Sequence, residues 1–141
     1  MPEPHRYRLR VHWEDTDAAG IVYYANYLRF IERARSDLVR RAGLDQAKLL
    51  AEAGLIFAVR RCEIDYLAPA RLDDELEVET EIEALGAATV DLRQTVRRAG
   101  DDLVRAAIRL ACISRDGRPR RLPRDSRATF ERLGREQREG A

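Results

Sequence analysis

The residues best suited to chemistry in this chain lie within the stretch 13–27. Three acids, Glu14, Asp15 and Asp17, fall within four residues of one another, and Gly20 and several tyrosines follow them. A carboxylate can attack a carbonyl carbon or activate water, and free backbone N–H groups at a helix start can stabilise the resulting oxyanion. Acids also cluster in solvated turns before helices, so spacing alone does not choose among the three.

A long helix is predicted directly after this stretch. Apolar residues recur at a period of about 3.6 from residue 26 to residue 42, with a charged face opposite that includes Asp37. We predict a largely buried helix with Asn26 as its N-cap and Gly43 as its stop. Ahead of it, Gly20 permits an unusual turn, which would direct the amide of residue 23 or 24 at a substrate carbonyl.

Strands are predicted on both sides of this helix. Alternating apolar residues indicate a half-buried strand over residues 6–13 and four more strands within residues 55–113, after a short helix over 45–53. The predicted fold class is therefore α+β, with a sheet of about five antiparallel strands covering one long helix. Apolar residues such as Val59 fall on the second sides of the strands, so we expect dimerisation to bury part of that face.

The C-terminal region differs in composition. Residues 115–138 carry nine arginines, and Pro123 opens a predicted amphipathic helix with Phe130 and Leu133 facing inward. We treat residues 1–141 as one domain with an arginine-rich C-terminal extension over residues 115–141. A solvated charged face is favoured there over a nucleic-acid site, because aromatic residues for base stacking are lacking.

Composition excludes several classes of function. The net charge of +1 gives no general electrostatic attraction to nucleic acid or membranes. No apolar window approaches a membrane span and no signal core opens the chain, so a cytoplasmic location is expected. His5, expected in a loose terminus, and His12 do not make a metal site. Cys62 and Cys112 lack metal-ligand spacing and are predicted to be buried, reduced thiols.

The stretch 14–27, Glu-Asp-Thr-Asp-Ala-Ala-Gly-Ile-Val-Tyr-Tyr-Ala-Asn-Tyr, resembles the signature of the hot-dog-fold acyl-CoA thioesterases. It looks most like the 4-hydroxybenzoyl-CoA thioesterase-like family, and within it the thioesterases associated with the Tol–Pal system. The likeness continues through residues 30–35 and 65–74 and covers about residues 7–113. It implies a five-stranded antiparallel sheet wrapped around the long helix. It also implies homodimers or homotetramers with active sites at subunit interfaces.

The resemblance also implies roles for single residues. Asp17 matches the family's catalytic carboxylate, a nucleophile or general base, and the oxyanion donor falls on the backbone amide at or near Tyr24. Gly20, Tyr23 and Asn26 belong to the same substrate-binding stretch. The Tol–Pal-associated members commonly carry His at the position of Tyr24, whereas the hydroxybenzoyl-CoA members tolerate Tyr there.

The substrate implied is an acyl-CoA, whose phosphates require cations. Arg60 is predicted on a strand face that is otherwise apolar, where an arginine needs an anion, and Arg61 and Arg93 are further candidates. No metal or redox cofactor is expected, because coenzyme A is part of the substrate. Two alternatives stay open. One is dehydration of a hydroxyacyl thioester, for which only His12 is near. The other is a non-catalytic module that binds acyl thioesters or acyl-carrier proteins.

Overall fold

The computed structural model describes residues 4–140 of the chain. Its main elements are five strands and three α-helices. In chain order they are β1 (His5–Arg10), α1 (Asn26–Arg41), α2 (Gln46–Ala53), β2 (Leu55–Tyr66), β3 (Glu75–Leu85), β4 (Thr89–Arg98), β5 (Asp101–Ser114) and α3 (Arg124–Gly140). All pairings are antiparallel, and the strand order is β1-β3-β4-β5-β2. The predicted α+β class is confirmed.

The core lies between α1 and the sheet. Tyr27, Phe30 and Ile31 on α1 are at most 2% exposed, and they belong to one apolar cluster with side chains of every strand from β3 to β5. Burying each such side chain contributes roughly 1.5–3 kcal/mol. Gln94 of β4 fixes the helix on the sheet, because its Nε2 donates to the carbonyl of Ile31 at 2.8 Å and to Thr80 Oγ1 at 3.0 Å.

The ends of two predicted elements differ in the structure. β1 stops at Arg10, and Trp13 lies in a 3₁₀ turn, 79% exposed, instead of continuing the strand face. Past the end of β1, the amide of Val11 donates at 2.9 Å to the carbonyl of Asp74, which lies just before the start of β3. The predicted N-cap was also one residue late, since Ala25 occupies that position and makes no side-chain cap bond.

Cysteine burial was predicted correctly for one residue and wrongly for the other. Cys112 is buried in β5, which lies between β4 and β2, and burial raises the pKa of its thiol. Cys62 is exposed because β2 is an edge strand of the sheet. Both thiols are free. The alternation of apolar residues does not reveal which strand lies at the edge, so it could not separate these two sites.

The C-terminal helix α3 packs against the domain as its apolar pattern predicts. Phe130 and Leu133 are buried, and the Phe130 ring meets that of Phe57 edge-on at 5.7 Å. Arg127 and Arg132 donate to backbone carbonyls at 2.6 Å and 2.9 Å, so part of the arginine-rich segment ties α3 down. Within residues 4–140, no helix combines the length and apolarity needed to cross a membrane.

Gln137 protects an open stretch of sheet edge. β1 pairs with β3 only as far as Thr80, which leaves the end of β3 without a partner strand on that side. The Gln137 side chain takes that place, because its Oε1 accepts from the amide of Ile82 at 2.8 Å and its Nε2 donates to the carbonyl of Thr80 at 3.0 Å. A covered edge cannot pair with another chain.

One ion-pair cluster was not foreseen, and it joins β1 to α1. His5 Nε2 lies 2.8 Å from Asp37 Oδ2, and both side chains are 9% exposed, although Asp37 was placed on the polar helix face and His5 in a loose terminus. Arg40 and Arg41 also pair with Asp37. Burial raises the pKa of the Asp37 carboxyl, but the bonds from His5 and Arg40 and the charge of Arg41 outweigh it. The pKa therefore lies below its ordinary value.

Asp37→Asn is expected to lower the free energy of unfolding by about 1–3 kcal/mol at pH 7. The folded-state pKa is depressed, so this stabilisation is complete above the ordinary carboxyl pKa and is lost as the pH falls through the folded-state value. Urea unfolding of both proteins between pH 7 and pH 3 measures the difference, which should shrink toward the acid end. A difference that stays constant over that range would contradict the assignment.

Candidate active site

The acidic turn and the start of α1 are tied together by the carbonyl of Asp15. That oxygen accepts from the amide of Tyr23 at 3.0 Å and from Asn26 Nδ2 at 2.9 Å. Asn26 thus acts on the turn with its side chain, not as a helix cap. Its own amide donates to the carbonyl of Tyr23 at 2.8 Å. The residues that were singled out for chemistry therefore form one folded unit.

The three acids, equivalent by spacing, differ in the structure. Asp15 is 9% exposed, and its Oδ2 accepts from the amide of His12 at 2.8 Å, so it holds the turn. Glu14 is exposed, and its side chain makes no hydrogen bond within residues 4–140. Asp17 is exposed too, but its Oδ1 is fixed by the amide of Ala19 at 2.8 Å, while Oδ2 has no partner in the described chain. Of the two acids with an anchored carboxylate, only Asp17 is exposed.

Gly20 makes the turn that orients Asp17. Its φ is +81°, a conformation that costs glycine nothing and other residues roughly 1–2 kcal/mol. The amide of Gly20 donates to the carbonyl of Asp17 at 3.0 Å. The amide of Asp17 in turn donates to the carbonyl of Ile21 at 2.9 Å. The chain then runs back along itself, with Val22 bridging to Thr16. The predicted unusual turn is present.

The backbone distinguishes Tyr24 from Tyr23 as a hydrogen-bond donor. The amide of Tyr23 is already used by Asp15, whereas that of Tyr24 donates to no acceptor among the described residues. Tyr24 lies two residues before α1, where amides have no intrahelical partner and the helix dipole is positive. An unused amide at that position can stabilise a negatively charged oxygen.

The ring of Tyr24 belongs to a cluster of tyrosine side chains. The Tyr24 ring lies 5.0 Å from that of Tyr23 and 6.0 Å from that of Tyr66, which in turn lies 5.7 Å from that of Tyr27. The Tyr66 hydroxyl donates to the carbonyl of Tyr24 at 3.2 Å. Burial raises the pKa of Tyr66, with smaller contributions from Cys62 and the neighbouring tyrosines, so its hydroxyl is neutral and able to donate.

Tyr66 is the neighbour that sequence reasoning missed. It ends β2, 42 positions from Tyr24 in the chain, and only the pairing of the sheet brings the two together. Its place within the 65–74 motif was the one available signal, and that motif assigned it no role.

The three candidate arginines are not gathered into one cluster. Arg61 pairs with Glu63, and Arg93 Nη2 lies 2.6 Å from Glu83. Arg60 is exposed at a β-bulge and has no ion-pair partner among residues 4–140. The predicted apolar face around Arg60 was wrong, because the bulge shifts the register between residues 59 and 61. No hydrogen bond or ion pair within the described residues links these arginines to the stretch 13–27.

The described residues contain no preformed group of metal ligands. No three His, Cys, Asp or Glu side chains there come close enough together to hold an ion. His12 is exposed, and its recorded bonds are made by its backbone. The chemistry that this site can offer rests on a carboxylate, a helix-start amide and the tyrosine side chains beside them.

Comparisons with known proteins agree on one family. The model of the thioesterase-like superfamily matches residues 11–130. Acyl-CoA thioesterase YbgC of Haemophilus influenzae is 40% identical over 126 residues, covering 89% of this chain and 93% of that protein. Acyl-CoA thioester hydrolase YbgC of Escherichia coli O6:H1 is 39% identical over 128 residues, covering 89% and 95%.

A solved structure gives the same result. The crystal structure of a probable thioesterase from Bartonella henselae superposes with a TM-score of 0.81 at 38% identity, covering 85% of this chain and 99% of that one. The family match extends to residue 130, beyond residue 113, where the sequence resemblance ends. The chain therefore belongs to the thioesterase-like superfamily, and its five-stranded sheet with α1 is the hot-dog fold of that family.

Proposed function

We propose that this protein is an acyl-CoA thioesterase that hydrolyses a thioester to a free acid and coenzyme A. The observation that carries the proposal is the unused amide of Tyr24 beside a turn in which Asp17 keeps one carboxylate oxygen free. The names of the YbgC relatives support the same activity. We assign the chain to the 4-hydroxybenzoyl-CoA thioesterase-like family, in its Tol–Pal-associated subgroup, on the motif at residues 14–27.

The proposed reaction uses the backbone N–H of Tyr24 and the carboxylate of Asp17. The Tyr24 N–H donates to the thioester carbonyl oxygen, which becomes an oxyanion when the carbonyl carbon is attacked. Asp17 either attacks that carbon itself or removes a proton from the water that attacks. The carbon–sulfur bond then breaks, and the coenzyme A thiolate leaves and takes up a proton. If Asp17 is the nucleophile, water hydrolyses the resulting anhydride. Neither route uses a metal or a redox cofactor.

Release of free thiol from a panel of acyl-CoA thioesters tests this function. Aliphatic chains of increasing length and aromatic acyl groups should reveal a preferred substrate that is turned over many times per active site. Alkene formation from a hydroxyacyl-CoA would support the dehydratase alternative instead. Tight binding of an acyl thioester or acyl-carrier protein without release of thiol would support the non-catalytic one.

The coenzyme A phosphates are proposed to bind Arg60 in preference to Arg61 and Arg93. Both of the latter already pair with carboxylates, whereas Arg60 has no such partner within residues 4–140. Arg60→Glu is expected to raise KM for acyl-CoA about 5- to 10-fold with little change in kcat, as fits reversal of an exposed charge. Arg61→Glu and Arg93→Glu are the matched controls, with smaller effects. An unchanged KM in Arg60→Glu would exclude that residue.

We further propose that the protein assembles as a homodimer or homotetramer with its sites at subunit interfaces. β2 is an unpaired edge strand that exposes Ile56, Val59 and Tyr66, and an exposed apolar edge is prone to pair with another chain. Tyr66 lies beside the proposed site, so pairing through β2 would bring a second subunit close to it. Sedimentation equilibrium measures the assembly directly. A cytoplasmic location remains a prediction.

A further inference from the structure

A cavity of about 230 Å³ lies beside the middle and C-terminal part of α1. Apolar side chains from four elements wall it: Val39, Phe57, Val59, Leu110 and Phe130. Glu32, Arg35, Ser36 and Gln46 provide its polar lining. The mechanism proposed above uses none of these residues. The cavity therefore combines an apolar body with a few polar groups, the arrangement typical of small-molecule sites.

The cation in this lining lacks a carboxylate partner. Arg35 is partly buried, and its Nη1 donates to the neutral Gln94 Oε1 at 3.2 Å. Its other guanidinium nitrogens donate to no group within residues 4–140, and they are not sealed from solvent. Arg97 and Arg109 on the sheet, by contrast, each pair with a carboxylate.

The charge on Arg35 persists despite its surroundings. Burial lowers the pKa of the guanidinium from its ordinary value, and the charge of the nearby Glu32 opposes that shift. Arginine remains protonated in proteins at neutral pH. Glu32 lines the same cavity but forms no ion pair with Arg35 among the described residues. A partly buried positive charge that makes no direct ion pair favours an anionic ligand.

We propose that this cavity binds a carboxylate carried on a compact apolar body, with Arg35 holding the carboxylate and the walls from Phe57 and Phe130 holding the body. Small-molecule pockets usually enclose about 300–1,000 Å³, so a cavity of about 230 Å³ suits a compact ligand. Hexanoate has this size and chemistry. The inference does not depend on the proposed activity, because binding is measured without turnover.

Isothermal titration of the intact protein with hexanoate tests the proposal, and 1-hexanol serves as the uncharged probe. The wild type should bind hexanoate saturably and more tightly than hexanol. Arg35→Met should weaken hexanoate about 10- to 100-fold and leave hexanol unchanged, since a hydrogen-bonded charge is removed. Equal binding of the two probes, or unchanged hexanoate binding in Arg35→Met, would overturn the proposal.

Three further variants keep the test decisive if Arg35→Met does not fold. Glu32→Gln removes the competing carboxylate and should strengthen hexanoate binding severalfold. Val59→Phe narrows the cavity from β2 and should weaken both probes, with sedimentation equilibrium verifying that the assembly proposed through the β2 edge is unchanged. Arg33→Met removes an exposed positive charge from the same helix and should change neither. A change in hexanoate affinity in Arg33→Met as large as the change in Glu32→Gln or in Val59→Phe would exclude a specific site.

The bound carboxylate has two possible sources, which kinetics separate. It is either a free carboxylic acid or the far end of an acyl group that itself carries a carboxylate. Competitive inhibition of hexanoyl-CoA hydrolysis by hexanoate, together with a preference for adipoyl-CoA that Arg35→Met abolishes, identifies the acyl group. Binding without competition identifies a separate site for free acid. If thioesterase activity is absent altogether, the titration still decides the proposal on its own.

Discussion

Asp17→Asn is expected to lower kcat for acyl-CoA hydrolysis by about 10²- to 10⁴-fold, the contribution typical of a positioned acid or base. Asparagine is nearly isosteric, and its side-chain oxygen can still accept from the amide of Ala19, so the turn should persist. What is lost is the charged, free oxygen that attacks the carbonyl or accepts a proton. Thiol release at saturating substrate measures kcat, and circular dichroism verifies the fold.

The neighbouring acids are the matched controls for this variant. Glu14→Gln changes an exposed side chain without hydrogen bonds in the described chain and should retain nearly full activity. Asp15→Asn should act mainly on stability, because Asp15 holds the turn through the amide of His12. Near-normal turnover in Asp17→Asn, or a loss in Glu14→Gln of the same size, would refute the assignment.

The fold was predictable because its elements are strongly periodic. The apolar stripe containing Phe30 and Ile31 specified α1, and clean alternation specified β3 to within a residue or two. The errors lie where a contact between distant residues decides the outcome. Asp37 belongs to a polar helix face by local pattern, yet His5 of β1 draws it into a buried pair. Local periodicity carries no information about such partners.

The strand β2 shows the same limit. Its alternation suggested a continuous apolar face through Arg60 and Cys62, but a bulge shifts the register and the strand lies at the edge of the sheet. The bulge and the edge position follow from the pairing with β5, not from the residues of β2. Arg35 is a third case, since the cavity that it lines is assembled from α1, α2, β2, β5 and α3.

The sequence predicts a candidate site but does not choose among the residues within it. Spacing presented three equivalent acids and two possible amides, and the resemblance selected Asp17 and the vicinity of Tyr24. Two features of Asp15 favour these choices. Its carboxylate is buried and bonded at one oxygen to the amide of His12, and its carbonyl accepts from the amide of Tyr23. Asp17 is then the exposed acid with an anchored carboxylate, and the Tyr24 N–H is an unused donor two residues before α1.

Tyr24→Pro is expected to reduce kcat about 10²- to 10³-fold, the loss typical when one oxyanion donor is removed. Proline has no backbone N–H, and it is well tolerated ahead of and in the first turn of a helix. The amide of Tyr24 donates to no described residue, so the substitution removes no hydrogen bond of the protein. Its effect should therefore fall on the transition state, lowering kcat and kcat/KM together.

Two comparisons separate the amide of Tyr24 from its side chain. Tyr24→Phe keeps the N–H and the ring and should stay within a few-fold of wild-type kcat. Replacing the same amide by an ester through semisynthesis removes the donor while keeping the side chain, and it decides the matter if proline disturbs the turn. The hydrogen bond from Tyr66 to the carbonyl of residue 24 remains possible in both variants. If the ester and Tyr24→Phe are equally active, the helix-start amide is not the oxyanion donor.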